Sequence, residues 1–383
     1  MRKLLLSSVF SLLFLHSDAQ EPNPIITAFP SLKISASSRG LGMGNCGIAS
    51  ADDNQQLFYN VAKSAFTTYQ HKASVTYSPY LTGISKDIKF LNANYLTSLS
   101  SSSTLGVSLN YLSLGWNTSK DDNGAIISIS KAAEYNLTGS YAIKLTGQSS
   151  LGVSFKFLVS QPTQIINENY TTAGKNILSV AADVSYYNEI PIKGNESKLH
   201  FGAVISNLGP KMSLAGSDPK TFLPTNLGFG IGYSHLNMAT NGRFTVGLDI
   251  NKLLVPTPPN YDGNRQILAG KDPNIGVLRA LFSSFADAPG GLKEELREIR
   301  FSGGLEYTFF QQFSLRGGIS VENVTKGNRN FLGFGVGYSG IINDQAWGMD
   351  FHYLVPLKTV TGVSPYQNSW GVSLKLAIRN LED

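Results

Sequence analysis

Few residues in this chain are arranged to do chemistry. Gly42-Met43-Gly44-Asn45-Cys46-Gly47 spells G-x-G-x-x-G, the pattern that lets a backbone approach a dinucleotide pyrophosphate. That chemistry needs a preceding strand and a following helix within a βαβ unit. The segment has no such setting, so no dinucleotide cofactor is expected. Asp350 and His352 stand two apart, on one face if the stretch is a strand, where they could form an acid–base pair. The sequence places no serine or cysteine nucleophile beside them, so no catalytic residue is assigned. His71, His200 and His235 are scattered without metal-ligand spacing. Asp52-Asp53-Asn54 lacks the remaining positions of a calcium loop and reads as the N-cap region of a short helix, Gln55 to Phe66. Cys46 is the only cysteine, so no disulfide framework exists, and it reads as a small packed residue. No enzyme activity, metal or cofactor is expected.

The rest of the chain defines what these residues are set into. Charged residues are 15% of the 383 and aromatics 11%, with 38 glycines. A soluble domain carries roughly 25% charged residues. A mean hydropathy of −0.05 suits a membrane barrel, whose strands are half polar. The formal charge of +5 comes without a basic block, which gives nucleic acid nothing to bind. Arg2 and Lys3, the apolar run Leu4 to Leu15, and small residues at Ser17 and Ala19 describe a signal peptide over residues 1–19, with Gln20 as the mature start. No later apolar stretch is long enough for a transmembrane helix, so membrane entry requires a closed barrel.

From Lys72 onward the sequence alternates with a period of two. In Ala133 to Leu145, for example, Tyr135, Leu137, Tyr141 and Ile143 oppose Glu134, Asn136, Thr138 and Lys144. About fourteen such strands of roughly ten residues are predicted between residues 71 and 379, the length that crosses a bilayer at barrel tilt. A phase slip near Tyr111 predicts a bulge there. The connections alternate short and long, the longest spanning 252–297, as in outer-membrane barrels with short periplasmic turns and long external loops. An even strand count places both termini in the periplasm, with residues 380–383 as a tail. The expected fold is all-β: a transmembrane antiparallel β-barrel with an N-terminal plug segment, residues 20–70, that includes the short helix.

The two strand faces differ. One is aliphatic and aromatic, with Trp116, Tyr233, Tyr307, Trp347, Tyr353 and Trp370 toward strand ends as lipid-interface girdles. The other carries Glu134, Lys144, Lys156, Asp249, Arg300, Glu306, Arg316, Asp350, His352 and Lys375. A selective ion filter favours one sign; this mixture reads as a hydrated lumen whose charges pair. Gly228-Phe229-Gly230-Ile231-Gly232 and Gly333-Phe334-Gly335-Val336-Gly337 put glycine on the lumen side, leaving room for a filler. The candidate filler holds Arg39, Gly40, Gly42, Gly44, Gly47, Tyr59 and Asn60, with Arg39 available to Glu134 or Glu306. In the 252–297 loop, Ile275, Leu278, Leu281, Phe282 and Phe285 either cover the barrel's own rim or contact a partner.

These motifs resemble known barrels. The glycine-rich turn, Ala49-Ser50-Ala51 with Asp52-Asp53, and Tyr59-Asn60-Val61-Ala62 resemble the plug signature of the long-chain fatty-acid transporter (FadL-like) superfamily. Its tetrad normally reads aromatic-Asn-Pro-Ala, and Val61 stands at the proline. Four further motifs are similar to the PorV (LptO) family of type IX secretion outer-membrane proteins of Bacteroidetes-type bacteria. They are Arg39-Gly40-Leu41-Gly42-Met43-Gly44, Tyr77-Ser78-Pro79-Tyr80-Leu81, Tyr111-Leu112-Ser113-Leu114-Gly115 and Phe351-His352-Tyr353-Leu354-Val355-Pro356. The resemblance runs over nearly the whole mature chain. It implies a barrel without enzymatic activity, surrounded by outer-membrane lipid, that docks on the type IX translocon barrel. Such a protein receives cargo through its C-terminal signal domain and hands it to the surface sortase, or attachment, complex. The alternative is a FadL-like transporter of long-chain fatty acids or other hydrophobic small molecules, which requires an apolar lumen pocket and a continuous route past the plug.

Overall fold

The computed structural model describes residues 22–51, 55–83, 85–120, 123–124, 126–167, 170–173, 175–192, 196–213, 220–343, 345–357, 364 and 366–379. The expected signal peptide, the Asp52-Asp53-Asn54 cap and the 380–383 tail lie outside these described residues. Fourteen strands form one barrel. They are β1 (His71–Pro79), β2 (Ile88–Ser100), β3 (Ser103–Lys120), β4 (Ile126–Lys144), β5 (Ser149–Asn167), β6 (Ile177–Ile192) and β7 (Ser197–Leu208). The second half comprises β8 (Asn226–Asn237), β9 (Gly242–Leu253), β10 (Arg300–Phe309), β11 (Phe313–Val321), β12 (Phe331–Ile342), β13 (Gln345–Pro356) and β14 (Ser369–Ile378). Each pairs antiparallel with its sequence neighbour. β14 returns to β1 with His71 opposite Ile378 and Tyr77 opposite Val372, so the sheet closes. Closure satisfies every strand edge, which lipid requires.

Burial along the strands is inverted relative to a soluble protein. On β2, Asn92 is 4% exposed while Tyr95 is 47% exposed. Asn92 lies inside, donating to Asn110 Oδ1 at 2.7 Å and to Ser108 Oγ at 3.1 Å. The apolar side chains face outward, where the bilayer is their solvent.

One end of the barrel carries the short connections β2–β3, β4–β5, β6–β7, β8–β9, β10–β11 and β12–β13; the other carries the long ones, 254–299 the longest. The predicted bulge lies further along β3 than Tyr111: the β3–β4 register shifts between Ser113 and Trp116, where Gly115 takes a φ of 77°. The sheet extends beyond the alternating windows in two places. β3 pairs with β4 out to Lys120 and Ile126, and β5 pairs with a short strand, Tyr170–Ala173. Backbone pairing continues past the region where lipid imposes alternation, so the sequence pattern fades before the strands end.

The N-terminal segment threads the lumen from end to end. Asn23 sits among the long loops, its backbone N–H donating to Thr325 O at 2.9 Å and its amide to Pro258 O at 3.0 Å. Phe29 and Leu32 then pack with Leu158, Ala181, Met212 and Leu223. The segment emerges at the short-turn end, where the Gln70 N–H reaches Ile378 O at 2.9 Å, and continues into β1. The first and last described residues therefore stand at opposite ends of the barrel. For the described residues this revises the expectation that both termini share one side: the period-two pattern that counts strands is silent about a segment inside them. The expected helix Gln55 to Phe66 is two 3₁₀ turns, Gln56–Phe58 and Val61–Phe66, interrupted where Asn60 is extended (φ −160°) and caps the second. A helical turn unforeseen in the sequence, α1 (Ser38–Gly42), forms in the glycine-rich part, its Gly40 N–H capped by Ser37 Oγ at 2.9 Å.

Candidate functional site

The residues singled out in the sequence meet inside the barrel, where the N-terminal segment lies against glycines of the wall. A β-carbon on Gly304 or Gly318 would overlap the backbone of Met43, and one on Gly333 the carbonyl of Leu41. The segment's own glycines have a second partner. Gly40 and Gly47 bracket the Tyr59 ring so closely that a β-carbon on either would collide with it. The Tyr59 hydroxyl donates to Asn45 Oδ1 at 2.8 Å and shares a 2.7 Å bond with Ser35 Oγ. The end of the false dinucleotide fingerprint, Asn45 and Gly47, thus forms part of a socket for one tyrosine. Gly44, at φ 70°, lies against the backbone of Ile319, and Gly42 against Gly335.

Polar contacts join segment and wall. Arg39 donates from Nη2 to Glu306 Oε1 at 2.7 Å and from Nε to Oε2 at 3.0 Å, with Nη1 on Ala51 O. Glu306 also accepts from Arg316 Nε at 2.5 Å; Arg316 Nη1 reaches Asp350 Oδ1 at 2.8 Å, and Lys375 Nζ lies 2.5 Å from Asp350 Oδ2. Five alternating charges therefore run from the inner segment across β10, β11, β13 and β14. Alternation lets each buried charge face an opposite one, without which burial would cost several kcal/mol per ion. Asn60 donates to Ile48 O and Tyr186 O, each at 3.0 Å, tying two parts of the segment to β6.

The other inward residues are spread out. Glu134 accepts from the Ser31 N–H at 3.0 Å rather than from Arg39. Lys156 bonds Asp183 at 2.8 Å and Asn207 Oδ1 at 2.7 Å. Lys144 lies at the short-turn rim, on Ser101 O and over the Phe66 ring. Among the described residues, Arg300 Nε has no hydrogen-bond partner, and neither does either ring nitrogen of His352. Since the Asp350 carboxylate faces Arg316 and Lys375, Asp350 and His352 form no acid–base pair. Among the described residues, no group of three or more His, Cys, Asp or Glu side chains could hold a metal.

Sequence reasoning missed one anchor, Lys63, and foresaw the lumen position of Asp249 without its partners. Lys63, fully buried, donates to Gly47 O at 2.7 Å and Ser50 Oγ at 3.2 Å. Asp249 Oδ2 accepts from the Gly47 and Ile48 N–H groups at 2.7 and 2.9 Å. A lysine within the apolar run Val61-Ala62-Lys63-Ser64-Ala65 was the available signal. Between segment and wall lies a cavity of about 100 Å³ lined by Lys33, Asn45, Tyr59, Arg300 and Arg329 among others. Burial, followed by the charge of Arg329, lowers the Lys33 ammonium to about 8. The cavity's lining is mixed, with Ile25, Leu32, Ile48 and Val204 beside the charged groups, and an acyl chain would bury those charges against hydrocarbon at a cost.

At the long-loop end, the 254–299 connection has its own interior. Helix α2 (Val277–Ser283) turns Ala280 onto Phe222 and Val255, with Ile275 and Val277 packed alongside. Ile275 is thus partly buried in the loop's own core. Leu281 is half-buried, and Leu278, Phe282 and Phe285 are exposed. Helix α3 (Leu292–Arg297) turns its carboxylates inward: Glu295 to Lys252 at 2.9 Å and Glu294 to Lys326 at 2.5 Å.

A sequence profile of the type IX secretion system protein PorV matches residues 17–260. The chain belongs to the PorV family. As a PorV-family barrel it is an outer-membrane component of the type IX secretion system. No curated protein matches the chain. Among solved structures it is similar to the Pseudomonas putida toluene transporter TodX, 9% identical over 93% of this chain and 98% of that one, with a TM-score of 0.51. A Pseudomonas aeruginosa FadL homologue is 10% identical over 93% and 98%, with a TM-score of 0.45. The likeness to TodX is one of fold: a PorV-family chain and a toluene transporter share a barrel architecture at an identity too low to carry function.

Proposed function

We propose that this PorV-family protein docks on the type IX translocon barrel, receives cargo through its C-terminal signal domain, and delivers it to the surface sortase and attachment complex. Family membership carries this reading. The packed lumen supports it, because a segment held by Arg39, Tyr59, Asn60 and Lys63 leaves no route for protein through this barrel. Cargo is then handled on the outside, and the residues at issue are surface residues. In this reading residues 1–19 are a cleaved signal peptide and residues 20–70 act as a plug. The short-turn end, with the chain's C-terminus, faces the periplasm. The long-loop end faces outward and offers Leu278 and Phe282 of α2 to a partner. A fatty-acid route would need an apolar path, and the charged lining around Lys33, Arg300 and Arg329 disfavours it.

The test is complementation of a deletion strain with Leu278→Asp/Phe282→Asp. The expected result is cargo retained with its C-terminal signal uncleaved, together with loss of the translocon from the detergent-solubilised complex. Secretion at the wild-type level by the deletion strain itself overturns the secretion role. Wild-type secretion by the α2 variant overturns only the assignment of that surface.

A further inference from the structure

Helix α3 continues the inverted logic of the barrel beyond its strands. Glu294, Glu295 and Glu298 turn inward, where Lys252 and Lys326 pair with them. Leu292 and Leu296, four residues apart and on one face, are 74% and 59% exposed. A soluble surface would be arranged the other way round. Lys293 and Arg297 repeat the same four-residue spacing beside the leucines. With Glu294, Glu295 and Glu298 engaged inside, the loop's exposed charges are Arg265, Lys271, Arg279 and Lys293 against Asp272, a basic excess.

Beneath α3 is an apolar groove of about 210 Å³. Its floor is Leu227, Phe229 and Ile250, on the outward faces of β8 and β9; its roof is Phe285, Leu292 and Leu296. Phe229 and Ile250 are exposed, in phase with Ile231 and Leu248 on the same two strands, so the groove opens directly onto the lipid-facing band. Lys252 and Glu295 close its inner wall as an ion pair.

We propose that this groove binds an acyl chain of a phosphorylated outer-leaflet lipid, with α3 lying in the membrane interface and Lys293 and Arg297 facing the headgroup phosphates. Continuity with the lipid-facing band selects a lipid as occupant, and the basic rim selects an anionic headgroup. The leaflet follows from the proposed outward orientation of the long loops; the binding itself needs only the outer-membrane barrel.

The test is native mass spectrometry of the full chain extracted from outer membranes in mild detergent, with lipids identified after release. The wild type is expected to retain a phosphorylated, multiply acylated glucosamine lipid through delipidation. Leu292→Glu/Leu296→Glu should retain about tenfold less, the factor that roughly two unburied methylene groups are worth. Lys293→Glu/Arg297→Glu, which leaves the groove itself intact, should shift retention toward uncharged lipid and detergent. Both variants should keep the heat-modifiable mobility of a folded barrel. A wild type that retains no lipid overturns the proposal, as does equal retention in all three proteins. A retained glycerophospholipid, or a protein that shields Leu292 and Leu296 from chemical labelling, also overturns it. Cargo secretion measured in the same strains separates this site from translocon docking, since loss of lipid with intact secretion leaves the docking proposal standing.

Discussion

Arg39 is the charge by which the inner segment enters the lumen network, so Arg39→Ala tests what holds that segment. Glu306 would lose three guanidinium contacts, from Nε to both carboxylate oxygens and from Nη2, but keep Arg316 at 2.5 Å. Removing one partner of a buried pair costs roughly 3–5 kcal/mol when the other charge is left alone. With Arg316 still present, about half of that remains, on the order of 1.5–2.5 kcal/mol. The chain supplies its own reporter. Cys46, the only cysteine, is buried, and a β-carbon on neighbouring Gly247 would stand 2.8 Å from its sulfur. Burial, then the nearby Asp249, push the thiol well above its ordinary range, so it reacts only when the segment leaves its seat. If opening limits reaction with a maleimide, about 1.5–2.5 kcal/mol corresponds to labelling faster by roughly 12- to 60-fold. Planar-bilayer conductance should rise in parallel. Lys144→Ala, at the rim, is the control and should change the rate less than about twofold. Labelling of a folded Arg39→Ala barrel at the wild-type rate would refute the idea that this ion pair seats the segment.

Three further outcomes follow from the same packing. Gly318→Ala sets a β-carbon against the Met43 and Gly44 backbone, which cannot rotate away, so Cys46 labelling should rise; Gly139→Ala, with open space around it, should leave labelling unchanged. Asn60→Ala removes the cap of the second 3₁₀ turn and the donors to Ile48 and Tyr186, and should lower the urea midpoint by about 2 kcal/mol equivalent; an unchanged midpoint would dismiss its anchoring role. Lys33 releases its proton near 8 when folded and at 10.5 in the open chain. The unfolded state therefore binds more protons in that window, and stability should climb from pH 8 to 10.5 by at most about 3 kcal/mol; urea titrations of Lys33→Met should lack that climb.

Much of the fold is legible in the sequence because lipid enforces it locally. Each residue of a strand such as β2 must be apolar or polar according to which face it occupies, so the period of two survives in any ten-residue window. The short and long connections follow from the same windows. Legibility fades where that pressure stops, at the outer ends of β3 and β5 and in the loop core around Ala280. There backbone pairing and packing proceed without alternation.

By itself, then, the sequence determined a closed barrel of alternating strands, its lipid-facing side, and a glycine-rich segment that could not be one of those strands. Tertiary structure alone decided where that segment lies and what holds it. It threads from the long loops to the short turns, seats Tyr59 between Gly40 and Gly47, and pairs Arg39 with Glu306 rather than Glu134. These are contacts between positions up to hundreds of residues apart, such as Gln55 with Ser373. No local period encodes them, because inside the barrel a polar partner is chosen by the register of the closed wall and the depth of the inserted chain. Only the assembled sheet defines either.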